Sequence, residues 1–203
     1  MYLIGLTGGI ASGKSTVSKI LSELGAFIID ADKLSHNVTK PGTPAWREIV
    51  ATFGEAVTDI NGNINRKRLG QIVFADAAAR AQLEAITHPR IEEEVQAATV
   101  AAQQQGYKIL VLDAPLLIEV EWYTRVDAVW VVFVDENTQI VRLMMRDNST
   151  YEDAMARIKA QLSLCEKLKY ADVVINNSKT IENTKKQVLK FWCEISNEGR
   201  TGK

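Results

Sequence analysis

Cysteine is nearly missing from this chain. The two present, Cys165 and Cys193, show no CxxC and no paired spacing. That excludes a disulfide framework or a thiolate zinc site as the organising device and suits a reducing compartment. Long apolar runs are missing too, since none approaches the roughly 20 residues of a membrane span, so a soluble protein is expected. An excess of one charge is the third absence. Lysine and arginine total 24 against 25 aspartate and glutamate, a formal charge of −1, with no basic block. Nucleic acid is therefore not expected as the main partner, whereas an anionic small molecule, which needs only a few local arginines, is allowed. Internal repeats and low-complexity stretches are absent as well. A chain of 203 residues fits one medium core with inserted elements.

What is present is concentrated near the start. Tyr2, Leu3, Ile4 and Leu6 form a short apolar run, as a strand buried on both faces does. Gly8, Gly13, Lys14 and Ser15 then fill G-x-x-x-x-G-K-[ST]. Val17, Ile20, Leu21 and Leu24 recur at helical spacing until Gly25 ends the helix. A loop of this composition between a strand and a helix holds a nucleoside triphosphate. Its residues Gly8, Gly9, Ile10, Ala11, Ser12, Gly13, Lys14, Ser15 and Thr16 are expected to turn their N–H groups inward. A side chain at Gly8 or Gly13 would block a phosphate, and the helix adds its positive end. Lys14 is placed to reach the β- and γ-phosphates, and the Ser15 hydroxyl to ligate Mg²⁺. With strand and loop at the very start there is no room for a signal peptide, so a cytoplasmic location is expected.

Further strands are expected at 26–29, 108–112, 128–134 and 172–175, alternating with helices. This predicts an α/β fold: a five-stranded parallel sheet wrapped by helices. Asp30 and Asp32 follow the second strand and Asp113 the third, at the carboxyl edge where open α/β sheets bind ligands. Helices are expected at 33–38, at 45–53 with Thr43 as cap, at 66–74 and at 77–86, around a tight turn at Asn61-Gly62. Pro89 is read as opening a separate long helix that Gly106 closes. A helix pair covers 138–146 and 151–166, and a last helix 180–195 precedes a frayed tail from Glu198. The organisation expected is one P-loop kinase domain over 1–203. It contains a helical acceptor-binding insert at 41–105 and a lid at 138–166.

Several side chains beyond the loop carry candidate chemistry. Asp32 either accepts the proton of an attacking hydroxyl and orients it, or caps the next helix; Asp30 is structural, or the two exchange roles. Asp113 ends an apolar run as a Walker-B acid does and would hold Mg²⁺ directly or through water; otherwise it is an exposed turn former. Arg142 and Arg146, four apart, share a helix face. Arg157 and Gln161 repeat that spacing on the next helix, opposite Met155, Ile158, Leu162 and Cys165. Such helices fit a lid closing over phosphates, or merely present solvated faces. His88 binds ligand or caps a helix entry, whereas His36 falls in an ordinary helical stretch; Arg66 and Arg68 face the acceptor or water. The candidate set is therefore Arg142 and Arg146 with the loop on ATP, and Asp30, Asp32, Arg66, His88, Leu116 and Arg157 on the acceptor.

Strings along most of the chain, from about residue 3 to 178, together resemble dephospho-coenzyme A kinases. They are GLTGGIASGKSTV, IDADKLSH, NRKRLGQIVFAD, LEAITHPRI, LDAPLLIE, QIVRLMMRD with ARIKAQ, and ADVVINN. The resemblance implies a P-loop kinase of the nucleoside-monophosphate-kinase type. Such an enzyme moves the γ-phosphate of ATP to the ribose 3′-hydroxyl of dephospho-CoA, a small-molecule acceptor. The sequence itself is silent on assembly, and a monomer or small homo-oligomer is the expectation. The resemblance further implies that 66–90 is the CoA-binding region and that 142–157 lies in the lid. Asp32 matches the family's proposed base, and Lys14 and Arg142 match the groups that neutralise phosphate charge. Ile118, Asn65 and Ala11 stand where the family often has Phe, Asp and Gly. At Ala11 the backbone N–H is kept and no positive φ is required by this reading.

Another kinase of this build, acting on a nucleotide or small alcohol, fits the same fold and loop. A GTPase-type switch fits less well. There is no N-K-x-D string, and Asp113 is followed by Ala-Pro-Leu rather than by the pattern D-x-x-G.

Overall fold

The strands form where β-branched and other apolar residues run together. In the computed structural model, which describes residues 1–201 and side chains as far as Ser196, these are β1 (Tyr2–Gly8), β2 (Phe27–Asp30), β3 (Ile109–Asp113), β4 (Ala128–Phe133) and β5 (Val173–Asn176). They make one parallel sheet in the order β2-β3-β1-β4-β5, with Ile4 of β1 opposite both Val111 and Ala128. Every residue of β3 is buried, as a strand covered on both faces requires. Gly5 in the middle of β1 is explained by close approach, because a Cβ there would lie 2.6 Å from Leu117 Cδ2.

The helices are α1 (Lys14–Glu23), α2 (Ala31–Val38), α3 (Pro44–Phe53), α4 (Arg66–Ala75), α5 (Ala77–Gln104), α6 (Glu136–Asp147), α7 (Tyr151–Lys159), α8 (Leu164–Lys167) and α9 (Ile181–Thr201). The chain packs as two compact units, Met1–Ile29 with Ala102–Lys203, and Asp30–Ala101. In the first, Ile4, Leu6, Trp130 and Val132 of the sheet pack with Val17 and Leu21 of α1 and Val188 of α9. In the second, Ile49, Val57 and Leu69 form the centre, with Phe53, Ile64 and Leu83 around them. The Asn61-Gly62 turn is present there, inside an antiparallel bridge between Thr58 and Ile64. Thr43 caps α3 by accepting from the Trp46 N–H, as its position before Pro44 predicts.

Three helix boundaries differ from expectation. The helices expected at 77–86 and from Pro89 are one 28-residue helix, α5, with Pro89 inside it. Thr87 Oγ1 donates to Leu83 O at 2.8 Å, and Arg90 donates to Ile86 O. The single helix expected at 151–166 is broken at 160–163. Gln161 leaves the helical path to bond the glycine loop, and Ser163 caps α8 through the Glu166 N–H. Of the tail expected from Glu198, residues 198–201 continue α9, and 202–203 lie outside the described residues.

Candidate active site

The loop between β1 and α1 owes its shape to its own composition and to what stands behind it. Gly13, at the N-cap of α1, has φ +85°, which a residue without Cβ adopts freely. Ala11 has φ +59°, contrary to the expectation that this position needs no positive φ. The Ala11 methyl packs with Ile10 against the Ile140, Leu143 and Ala154 cluster of α6 and α7, which offsets the strain. The glycines also serve a different purpose from the one expected. A Cβ on Gly8 would sit 2.6 Å from Ser12 Oγ, and one on Gly13 would sit 2.1 Å from Asn177 Nδ2. Protein atoms, not only a phosphate, exclude side chains there.

Not all the loop amides face inward. The Ile10 N–H donates to Gln161 Oε1 (2.8 Å) and the Ser12 N–H to Gly9 O (3.0 Å). Those at Lys14 and Ser15 start α1, where no intrahelical acceptor exists. Gln139 Nε2 donates to Ile10 O (2.7 Å) and Asn177 Nδ2 to Ser12 O (2.8 Å). Gln139, Gln161 and Asn177 thus buttress the loop, and sequence reasoning assigned none of them this task. Their signal was membership of the strings QIVRLMMRD, ARIKAQ and ADVVINN and, for Gln161, its spacing of four from Arg157. Ser12 Oγ is fully buried and finds no hydrogen-bond partner.

Lys14 and Asp113 form an ion pair, with side chains 17% and 11% exposed. The turn after Asp113 is held by Pro115 O, which accepts from Thr7 Oγ1 (3.0 Å) and Lys167 Nζ (2.7 Å). Lys167 is fully buried and also pairs with Glu119 at 2.8 Å. Burial pushes its ammonium pKa down; the Glu119 carboxylate opposes this and the Lys14 charge adds to it. Neither Lys167 nor Glu119 was singled out from the sequence.

The arginines of α6 and α7 divide into two groups. Arg142, half-buried, donates to Asn177 O at 2.9 Å, and its Nη1 lies 3.8 Å from where a Gly13 Cβ would be. Arg146 and Arg157 instead converge on Asp147. Arg146 bonds it through Nε (2.7 Å) and Nη2 (3.0 Å), and Arg157 through Nη1. Arg146 first and Arg157 second hold the Asp147 carboxyl far below the usual carboxylate range. Of the apolar stripe expected along 151–166, Met155 and Ile158 join the α6–α7 cluster, while Leu162 and Cys165 lie beyond the end of α7.

In the second unit, Asp30 rather than Asp32 is the cap of α2, accepting from the Lys33 N–H at 3.0 Å. Asp32 is exposed in the first turn of that helix. Arg66 reaches His36 Nδ1 (3.3 Å) and Thr39 Oγ1 (3.4 Å), so His36, read as an ordinary helical residue, is its neighbour. Arg68 holds Ala56 O. His88 lies within α5, so it caps no helix entry. Leu116, in the first unit, is 45% exposed.

Residues 2–183 match the dephospho-CoA kinase (CoaE) family. The chain belongs to the dephospho-CoA kinase family. It is 50% identical over 192 residues to the dephospho-CoA kinase of Geobacillus kaustophilus, covering 93% of this chain and 96% of that one. The solved dephospho-CoA kinase from Campylobacter jejuni superposes with a TM-score of 0.70 at 30% identity, covering 97% and 98% of the two chains. TT1252 from Thermus thermophilus superposes with a TM-score of 0.81 at 29% identity, covering 95% and 96%.

As a dephospho-CoA kinase family member the chain is an enzyme, a transferase that uses a nucleotide and a small-molecule substrate. The loop suits that nucleotide, with a helix start, glycines that no side chain could replace and a partly buried lysine–carboxylate pair. Ser15, exposed, and Asp113, at the end of β3, are hard oxygen donors of the kind Mg²⁺ takes alongside phosphate and water. Among the described residues, no helix is long and apolar enough to cross a membrane.

Proposed function

We propose that this enzyme transfers the γ-phosphate of ATP to the ribose 3′-hydroxyl of dephospho-CoA, giving CoA and ADP, as the last step of coenzyme A synthesis in the cytoplasm. The observation that carries this reading is the buttressed glycine loop, with Lys14 and Arg142 beside it, in a chain of this family. The triphosphate lies on the loop and the start of α1, where amides and the helix dipole attract it. Lys14 exchanges its Asp113 partner for phosphate oxygens, and Arg142 neutralises charge on the transferring group. Ser15 and Asp113 would hold Mg²⁺, whose chemistry is to neutralise phosphate charge.

Asp32 takes the proton of the 3′-hydroxyl, while Asp30, engaged as a cap, sets the start of the helix that carries it. Arg66, His88, Leu116 and Arg157 contact the acceptor, and Arg146 joins Arg142 on the nucleotide. The insert at 41–105 serves the acceptor, and the lid at 138–166 excludes water, which would otherwise hydrolyse ATP. No nucleic acid takes part, and the enzyme works as a monomer or small homo-oligomer.

The test offers purified enzyme ATP, Mg²⁺ and a panel of alcohols and nucleotides. ADP should appear with dephospho-CoA alone, and equal ADP with another acceptor would refute the assignment. Lys14→Ala and Arg142→Ala should each lose roughly 10²–10³ in kcat with the circular dichroism spectrum unchanged, the usual effect of removing one charge-stabilising donor. Asp32→Asn should lose turnover while still binding both substrates. Wild-type turnover in that variant would remove Asp32 from the role of base.

A further inference from the structure

Asn177 stands just past β5, 6% exposed, with all its polar groups engaged. Its backbone N–H donates to Phe133 O at the end of β4 (2.8 Å) and its backbone oxygen accepts from Arg142 Nη2 (2.9 Å). Its Nδ2 donates to Ser12 O (2.8 Å), and its Oδ1 accepts from Thr184 Oγ1 of α9 (2.7 Å). Thr184 is itself fully buried. The Ser12 carbonyl fixes which way the amide faces, because a reversed amide would set Oδ1 against it, acceptor against acceptor; the Thr184 hydroxyl then supplies the donor that Oδ1 takes.

A trans peptide places its C=O and N–H on opposite sides. Holding Ser12 O against Asn177 therefore turns the Gly13 N–H the other way, out of the packed interior. Gln139 acts on the preceding part of the loop in the same manner, since holding Ile10 O turns the Ala11 N–H away from Gln139.

We propose that Asn177 is a positioning residue for phosphoryl transfer. Its side chain aims the Gly13 N–H at the bound phosphates while its carbonyl sets the swing of Arg142, so the two phosphate-holding parts keep a fixed spacing. The proposal rests on the reading that the loop holds ATP.

The test is Asn177→Asp, which keeps the shape and the acceptor for Thr184 but removes the donor to Ser12 O. Near neutral pH the KM for ATP should rise roughly tenfold, the effect of losing one such bond. kcat should fall with it, while the KM for dephospho-CoA stays within about twofold. On acidification the variant should recover relative to wild type, because a protonated carboxyl group can donate to Ser12 O again. Thr184→Val, which removes the hydroxyl donor that holds Asn177 Oδ1 in place, should show a smaller loss in the same direction, and it decides the matter if the aspartate variant fails to fold. Wild-type kinetics in the variants, an equal rise in both KM values, or no recovery at low pH would overturn the proposal. ATP affinity measured by calorimetry separates this result from the functional reading. A wild-type enzyme that binds ATP but leaves dephospho-CoA unchanged sinks the acceptor assignment alone, and the calorimetric comparison still judges Asn177.

Discussion

Lys167→Met tests whether the turn after Asp113 is held by a buried cation. The lysine side chain is 0% exposed and Glu119 is 23% exposed. Breaking a buried pair by removing one partner typically costs about 3–5 kcal/mol. Two features lower that here. Pro115 O keeps its bond from Thr7 Oγ1, and Glu119 keeps the Leu162 N–H at 3.2 Å. Met also fills most of the vacated volume, so no large cavity adds to the loss. The expected cost is about 2 kcal/mol, or roughly 4–8 °C in Tm for a protein of this size. Glu119→Gln should cost a similar amount, about 2 kcal/mol, because it leaves the buried ammonium without a counter-charge. The double variant should cost little more than either single one, a coupling of about 2 kcal/mol. Chemical denaturation of the four proteins measures the cycle.

The pH dependence has a definite sign. Burial lowers the folded pKa of Lys167 below its ordinary value, so the unfolded chain binds the proton more tightly. The cost of burying the charge is present in full below the folded pKa and is relieved as pH rises from there to the ordinary lysine value. Lys167→Met should flatten that alkaline part of the stability curve. Additive single variants, or a Lys167→Met protein as stable as wild type, would refute the role given to the pair.

Two other expectations concern the α6–α7 pair and the loop. Asp147, held low mainly by Arg146, contributes stability above the ordinary carboxylate pKa, and that stability is lost as pH falls through the lower folded value. In an NMR titration its carboxyl carbon should change only well below the range of ordinary aspartates, and Arg146→Gln should bring the midpoint up; an ordinary midpoint in wild type would mean the triad does not form in solution. At Ala11, φ +59° predicts that Ala11→Gly is nearly neutral, the relief of strain being offset by the lost methyl packing and the entropy of glycine. Ala11→Val should cost about 1–3 kcal/mol, because a β-branched residue tolerates that φ poorly; thermal denaturation that finds Val tolerated would contradict the loop conformation.

Wherever the signal is local, the chain could be read directly. The loop, the five strands and the Thr43 cap depend on residues within a few positions of one another, and each stands where periodicity and turn chemistry put it. Helix ends were less legible where another segment decides them. Pro89 reads as a start, yet α5 runs straight through it. Gln161 reads as one more helical residue, yet its bond to Ile10 lies 151 positions away in the sequence.

The site divides in the same way. From the order of amino acids alone came the strand, the glycines, Lys14 and Asp113, because a phosphate-gripping turn must be contiguous and a strand-end acid follows its own apolar run. Only the folded chain revealed that Asn177 and Gln139 bond carbonyls of that turn, that Lys167 and Glu119 brace its neighbour, and that Arg146 and Arg157 share Asp147 while Arg142 does not. An asparagine or a buried lysine has no periodic signature. Its meaning is the partner it meets, and the Asn177–Ser12 contact joins residues 165 apart that only the pairing of β5 with β4, and of β4 with β1, brings within hydrogen-bond reach.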